Sequence, residues 1–286
     1  MTQKRLAILT LWRDSEDYIE RSLKQFEALE RAFEEETDPI IPIYGFFEND
    51  SQDNTAQILE EWLKNRVGFV VAETINAPKW GSVSSLDRVR YQARYRNSAL
   101  ALLNRYQYDY LLVADSDVHW EPDCVLALMD FLEEDGVGGD AGMVSPNTVQ
   151  NVRDYVQDTD EETYFDSWSL VDIAGNQCLT FAANPFLDPD DRLDWESGVP
   201  VACNSAFGSI AMVKQEAMSG VEWDVIDGVE HWEFCKKIRE NGYRVFADPL
   251  IHARIVHKEK IKPLPAVVEY QKQKLKKFEL QELFKS

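Results

Sequence analysis

The chain has 286 residues, 44% apolar and 12% aromatic, enough to build a sizeable core in one large domain or two small ones. Its formal net charge of −21 repels phosphate backbones, which excludes nucleic acid as the main ligand and favours a cation or a basic partner. Four widely separated cysteines, Cys124, Cys178, Cys203 and Cys235, form no CxxC pair and argue against a zinc cluster or a disulfide framework.

The N-terminal apolar run is too short for a signal peptide and meets charge by Arg13, and no stretch is long enough to cross a bilayer, so the expected location is cytoplasmic. Up to about residue 150, short β-rich runs alternate with helical patterns. Strands are predicted at Arg5–Trp12, Ile40–Phe47, Phe69–Glu73, Tyr110–Ala114 and Gly142–Ser145. Helices are predicted at Ser15–Phe33, Asn54–Asn65, Leu86–Arg105 and Pro122–Glu133, the last opening on a proline suited to a first helical position. This alternation implies βαβ units, hence an α/β fold with a mostly parallel sheet and helices on both faces. Ligands of such sheets bind beyond the carboxyl ends of the strands.

From Asn147 to about Val199 the pattern breaks into polar and aromatic pieces such as "DTDEETYFDSWSL" and "NPFLDPDDRLDW", read as long loops and short strands over the active face. Order resumes with the apolar "PVACNSAFGSIAMV", a helix near Gly228–Asn241 closed by Gly242, and strands in "YRVFAD" and "HARIVH". The division expected is one domain over residues 1–257, with halves meeting near 146, followed by a basic tail over 258–286. That tail carries eight lysines and four glutamates, with apolar residues at helical spacing. Two roles are open to it: lying on an anionic membrane surface, or packing its apolar face on its own acidic domain.

The strand "LLVA" ends on Asp115-Ser116-Asp117, a D-x-D that offers two carboxylates to Mg²⁺ or Mn²⁺ against a diphosphate; the plainer alternative is a solvated acidic loop. In "FFENDSQDNT", another apolar run enters a polar turn. There Glu48 can accept from the N–H edge of a base, while Asp53 or Asn54 caps the next helix. Arg88, Arg90, Arg94 and Arg96 crowd one helix, where guanidinium groups suit phosphate or the surrounding acids.

These pieces in this order resemble the GT-A fold nucleotide-sugar glycosyltransferases. "ENDSQDNT" is similar to their second-strand turn, "RYRN" to the Arg-Asn segment before the D-x-D strand, and "ADSD" to the D-x-D itself. Within that group, "YFDSWSLVDIAG" and "EHWEFCKKIRENGYRVFADP" resemble the fungal capsule-associated α-mannosyltransferases. The resemblance runs from about Arg5 to His257. It implies a nucleotide-binding half over 1–146 and an acceptor-binding half over 147–257.

By that resemblance Glu48 contacts the base, and Asp50, Arg88, Arg96, Asn97 and Asp115 reach the donor. Asp115 and Asp117 hold the metal together with a histidine, His257 being favoured over His252. Glu230 and Glu233 share a helix face where related enzymes carry an acid facing the acceptor, while Asp166 and Trp168 shape the sugar and acceptor pockets. The implied reaction is metal-dependent transfer of a hexose, mannose by the subfamily resemblance, to a hydroxyl of a glycan or lipid-linked acceptor, with retention. Asn49 stands where a second acid is common, which leaves GDP and UDP both open as the donor nucleotide. Two other readings are a sugar-phosphate nucleotidyltransferase, although "LTLWRDSED" lacks the expected glycine-rich loop, and a non-enzymatic sugar-binding module.

Overall fold

The computed structural model describes residues 3–80, 85–133, 139–154, 159–256, 269 and 272–278. Strand β1 (Arg5–Trp12) pairs in parallel with β2 (Ile41–Asn49) on one side and with β4 (Tyr110–Asp115) on the other, and β2 pairs in parallel with β3 (Gly68–Glu73). Alternation along β1 sends Leu6 and Ile8 into one hydrophobic cluster and Ala7 and Leu9 into a second on the opposite face. Both faces are therefore covered, which is why the run reads as continuously apolar.

Helix α1 (Glu16–Glu35) presents Ile19, Leu23, Phe26, Leu29 and Phe33 as one stripe and shares its cluster with residues of α2 (Thr55–Leu63) and α4 (Pro122–Glu133). Helix α3 (Leu86–Leu103) covers the opposite face through Ala93, Ala99 and Leu103. Its N-cap is Ser85, whose side chain accepts the Arg88 N–H.

Beyond β4 the sheet is mixed. β10 (Ile210–Lys214) lies antiparallel to β4 and to β6 (Ala141–Asp154), β11 (Arg244–Ile255) runs parallel to β6, and β9 (Val201–Ser205) with β8 (Val171–Asp172) completes the edge. β5 (Val118–His119) pairs with β11, and β7 (Thr159–Tyr164) pairs with β6. Helix α6 (Glu230–Glu240) packs on the same face as α3.

Three elements differ from the sequence expectation for identifiable reasons. β6 continues past Ser145 because Pro146 sits at an irregularity, opposite Asp248, where a missing N–H is tolerated. The two predicted final strands are one strand. At its break Asp248 Oδ1 accepts from the N–H groups of Leu250 (2.7 Å) and Ile251 (3.3 Å), so the side chain replaces ladder partners. Helix α5 (Pro189–Glu196) buries only Trp195 and so has no apolar period to read; Asp188 caps it and Pro189 opens it.

Part of the basic tail, 272–278, is helical, and Lys274 Nζ donates to the Gln177 carbonyl at 3.0 Å, so the tail contacts its own domain. Among the described residues no helix is long and apolar enough to cross a membrane.

Candidate active site

The parallel register sets the site. Leu11 on β1 is opposite Asp115 on β4, and the next residue, Trp12, is opposite Glu48 on β2. Two strand spacings separate the two acids, about 10 Å, a reach comparable to that from a base to its phosphates.

At the β2 end Glu48 is buried, and its carboxylate accepts the Ser51 N–H at 2.8 Å. Asp50 adopts a left-handed conformation (φ 55°) and turns inward to the loop after β3. Its Oδ1 accepts from Ile75 and Asn76 N–H, both at 2.7 Å, and its Oδ2 from Ala77 N–H at 2.9 Å and Asn49 Nδ2 at 3.0 Å. Against the desolvation of the site, these donors hold the Asp50 carboxyl down to about 2. Arg13 grips the same loop, Nη2 on the Ala77 carbonyl and Nη1 on that of Pro78. Asp50 is thus engaged by protein donors and shapes the loop that walls this end of the site. Asn49 is explained by the same network, because an acid there has no N–H to give Asp50.

At the β4 end Asp115 and Asp117 are half-buried. Ser116 between them is fixed: its hydroxyl bonds the Tyr18 hydroxyl at 3.0 Å and its carbonyl accepts from Ser22 Oγ at 2.8 Å. Burial keeps the Tyr18 phenol protonated, with the two aspartates adding to the effect and the serine hydroxyls opposing it.

Arg96 joins the halves. Its guanidinium donates through Nη1 to Glu230 and through Nη2 to Asp115 at 3.2 Å, beside the Phe207 ring. Arg88, about two turns before Arg96 on α3, lines the same cavity as Gln92, Arg96, Asp115, Asp166 and Glu230, a space of about 190 Å³. Asp166 accepts from Ser169 Oγ.

Two expected residues lie elsewhere. Asn97 bonds both ways with the backbone of Trp223 (Nδ2 to the carbonyl at 2.8 Å, Oδ1 from the N–H at 2.9 Å), so it secures a loop. Glu233 is not part of the cavity wall and faces Lys236 at 3.4 Å. Of the two histidines, His257 lies outside the described residues, and His252 is exposed on β11 opposite Asn147. Among the described residues no three His, Cys, Asp or Glu side chains cluster closely enough to hold a metal ion unaided.

The cavity also contains residues the motifs did not indicate. His231 stacks on Phe207 with centroids 3.7 Å apart, and burial, reinforced by Arg96, keeps its ring neutral. Phe181 (φ 58°) and Ser209 (φ 61°) hold left-handed backbones at the wall. Gly208 precedes Ser209 at φ 62°, where a Cβ would stand 3.1 Å from the Pro146 carbonyl oxygen. In the sequence this turn lies within the apolar "PVACNSAFGSIAMV", which gives no sign of the cavity it borders.

The model of one family, described as cryptococcal mannosyltransferase 1, matches residues 8–249. The chain belongs to that family. The match spans both halves of the sheet and every described candidate site residue except His252, which lies beyond its end on β11. Solved structures agree in fold. The mannosyltransferase PcManGT from Pyrobaculum calidifontis, in complex with GDP-Man and Mn²⁺, aligns with a TM-score of 0.53 at 15% identity over 94% of this chain and 60% of its own. TarS 1-349 from S. aureus, in complex with UDP-GlcNAc, gives 0.51 at 13% identity over 89% and 60%. GalNAc-T7, with UDP, GalNAc and Mn²⁺, gives 0.51 at 13% over 90% and 44%. The chain therefore spans less than two thirds of each of these proteins, and the likeness establishes the glycosyltransferase GT-A fold. No individually curated protein matches it by sequence.

Proposed function

We propose that this member of the cryptococcal mannosyltransferase 1 family transfers a hexose, mannose by family, from a nucleoside-diphosphate sugar to a hydroxyl of a glycan or lipid-linked acceptor. The observation that carries the reading is the junction at Asp115: one strand end supplies a D-x-D acid that also borders a sugar-sized cavity and is tied by Arg96 to Glu230 on the opposite wall. The nucleotide would run from Glu48 at the β2 end to Asp115 and Asp117 at the β4 end, leaving the hexose in the cavity. Glu48 favours a base with an N–H edge, as guanine and uracil have; the GDP-Man of PcManGT and the UDP-GlcNAc of TarS leave both open.

A purely carboxylate donor set suits Mg²⁺ or Mn²⁺, which keep water and phosphate oxygens as their other ligands. Asp115 and Asp117 would hold such an ion, and when bound it neutralises charge on the departing diphosphate. In the transfer, the bond from the anomeric carbon to the phosphate oxygen breaks and one to the acceptor oxygen forms, while the acceptor proton goes to the leaving phosphate. Glu230, bound in a buried pair with Arg96, is poorly placed to leave it and take that proton, which favours retention over an inverting route with a protein base.

Thermal melting with GDP, UDP, CDP and dTDP, each with Mn²⁺ or a chelator, tests the reading, since a ligand of the folded state raises the melting temperature. One nucleotide is expected to stabilise the protein only with Mn²⁺, and Asp117→Ala to abolish that shift. The absence of a shift with all four would refute the proposal.

A further inference from the structure

We infer that Gln150 is the specificity residue for a pyranose seated in the cavity, its carboxamide oxygen accepting a hydrogen bond from a ring hydroxyl. Gln150 lies on β6 opposite Thr163 of β7, is only 5% exposed, and belongs to the cavity wall. Its Oε1 is buried and has no hydrogen-bond partner among the described residues. Buried side-chain oxygens are normally satisfied, and an exception inside a cavity marks an acceptor for something the cavity receives. The inference rests on the glycosyl-transfer reading for the origin of the sugar and deepens it.

Other features of the cavity narrow the ligand. Its volume of about 190 Å³ is below the roughly 300–1,000 Å³ of sites for drug-sized molecules and suits a single ring. Phe165, Phe181 and Trp168 supply aromatic surface, with Trp168 38% exposed, and a pyranose offers C–H faces to rings and hydroxyls to polar groups. Phe181 and Ser209 hold left-handed backbones at the same wall, the kind of local strain that binding sites retain. Asp115 bounds the cavity, whereas Glu48 and Asp50 are not part of it, so its occupant lies beyond the diphosphate and is not the base. The donor's sugar and the acceptor's present the same hydroxyl chemistry to this cavity.

Calorimetric titration of the full chain with GDP and GDP-mannose, UDP and UDP-GlcNAc, each with Mn²⁺, and with methyl glycosides of mannose, glucose and galactose separates the sources. Gln150→Met keeps the side-chain length and removes the acceptor. It is expected to melt with the wild type and bind the bare nucleotide equally, yet to lose about tenfold, or 1.4 kcal/mol, for either the nucleotide sugar or a methyl glycoside. Trp168→Ala, at the exposed rim, is expected to weaken the same ligand and serves if Gln150→Met misfolds. Loss in the nucleotide-sugar arm assigns the donor sugar; loss in the glycoside arm assigns the acceptor. Wild type that binds a glycoside through Gln150 but no nucleotide would overturn the transfer reading and leave this inference standing. Unchanged sugar affinity in both variants, or no sugar binding by the wild type, would overturn the inference.

Discussion

Arg96 on α3 and Glu230 on α6 form an ion pair with side chains only 3% and 4% exposed, and the same guanidinium reaches Asp115 at 3.2 Å. One buried cation thus balances two carboxylates from opposite halves of the domain. Removing it strands both, and breaking such a pair costs about 3–5 kcal/mol. Arg96→Leu is expected to lose that much by chemical denaturation. Glu230→Gln, which keeps an acceptor for Arg96, is expected to lose clearly less. A loss below about 1 kcal/mol for Arg96→Leu would show that the pair does not hold the halves together.

Asp50 serves as a clamp in the fold. Three backbone N–H groups, from Ile75 to Ala77, depend on its carboxylate, so Asp50→Ala is expected to destabilise the protein by about 1–3 kcal/mol. The pH dependence has a definite sign. Its carboxyl titrates near 2 in the fold and near 3.8 without its donors, so its contribution is complete above 3.8 and is lost as the pH falls towards 2. Acid titrations of wild type and Asp50→Ala should therefore converge below pH 3; parallel curves down to pH 2 would exclude the clamp.

Much of this site was legible in the sequence because strand ends advertise themselves. The apolar runs closing on Glu48 and Asp115 gave both positions, and β1 needed no correction because burial on both faces leaves an uninterrupted apolar signature. What escaped was pairing. Nothing local distinguishes Asn97, which bonds Trp223, from a donor ligand, or Glu233 from Glu230 three residues earlier on the same helix. Asp50 matched a motif whose register suggested ligand contact, and only the fold reveals the loop filling its oxygens. Gln150 sits inside a strand whose continuation past Pro146 depends on a break in β11 a hundred residues away.

Catalysis offers a sharper distinction for Glu230. A general base contributes about 10²–10⁴-fold, and its removal erases the acidic limb of the pH–rate profile. Held by Arg96, Glu230 is expected to position the site instead, so Glu230→Gln should lower kcat by less than 100-fold and preserve that limb. Measured with the nucleotide sugar that stabilises the protein, a larger loss with a flattened profile would make Glu230 the base and favour inversion.

Away from the site, Asp191 on α5 works against the fold at neutral pH. Desolvation, together with Asp188, Asp172, Asp194 and Asp190, raises its carboxyl to about 6. A group raised in the folded state favours folding below its unfolded value near 3.8 and loses that advantage as the pH rises through about 6. At pH 7.5 its negative charge is therefore a burden that an amide would lift. Because the site is partly open to solvent, screening reduces the gain to about 1 kcal/mol. Asp191→Asn should melt higher than wild type at pH 7.5 and no higher at pH 4. An equal gain at both pH values would point to a hydrogen bond of the new amide and not to relief of charge.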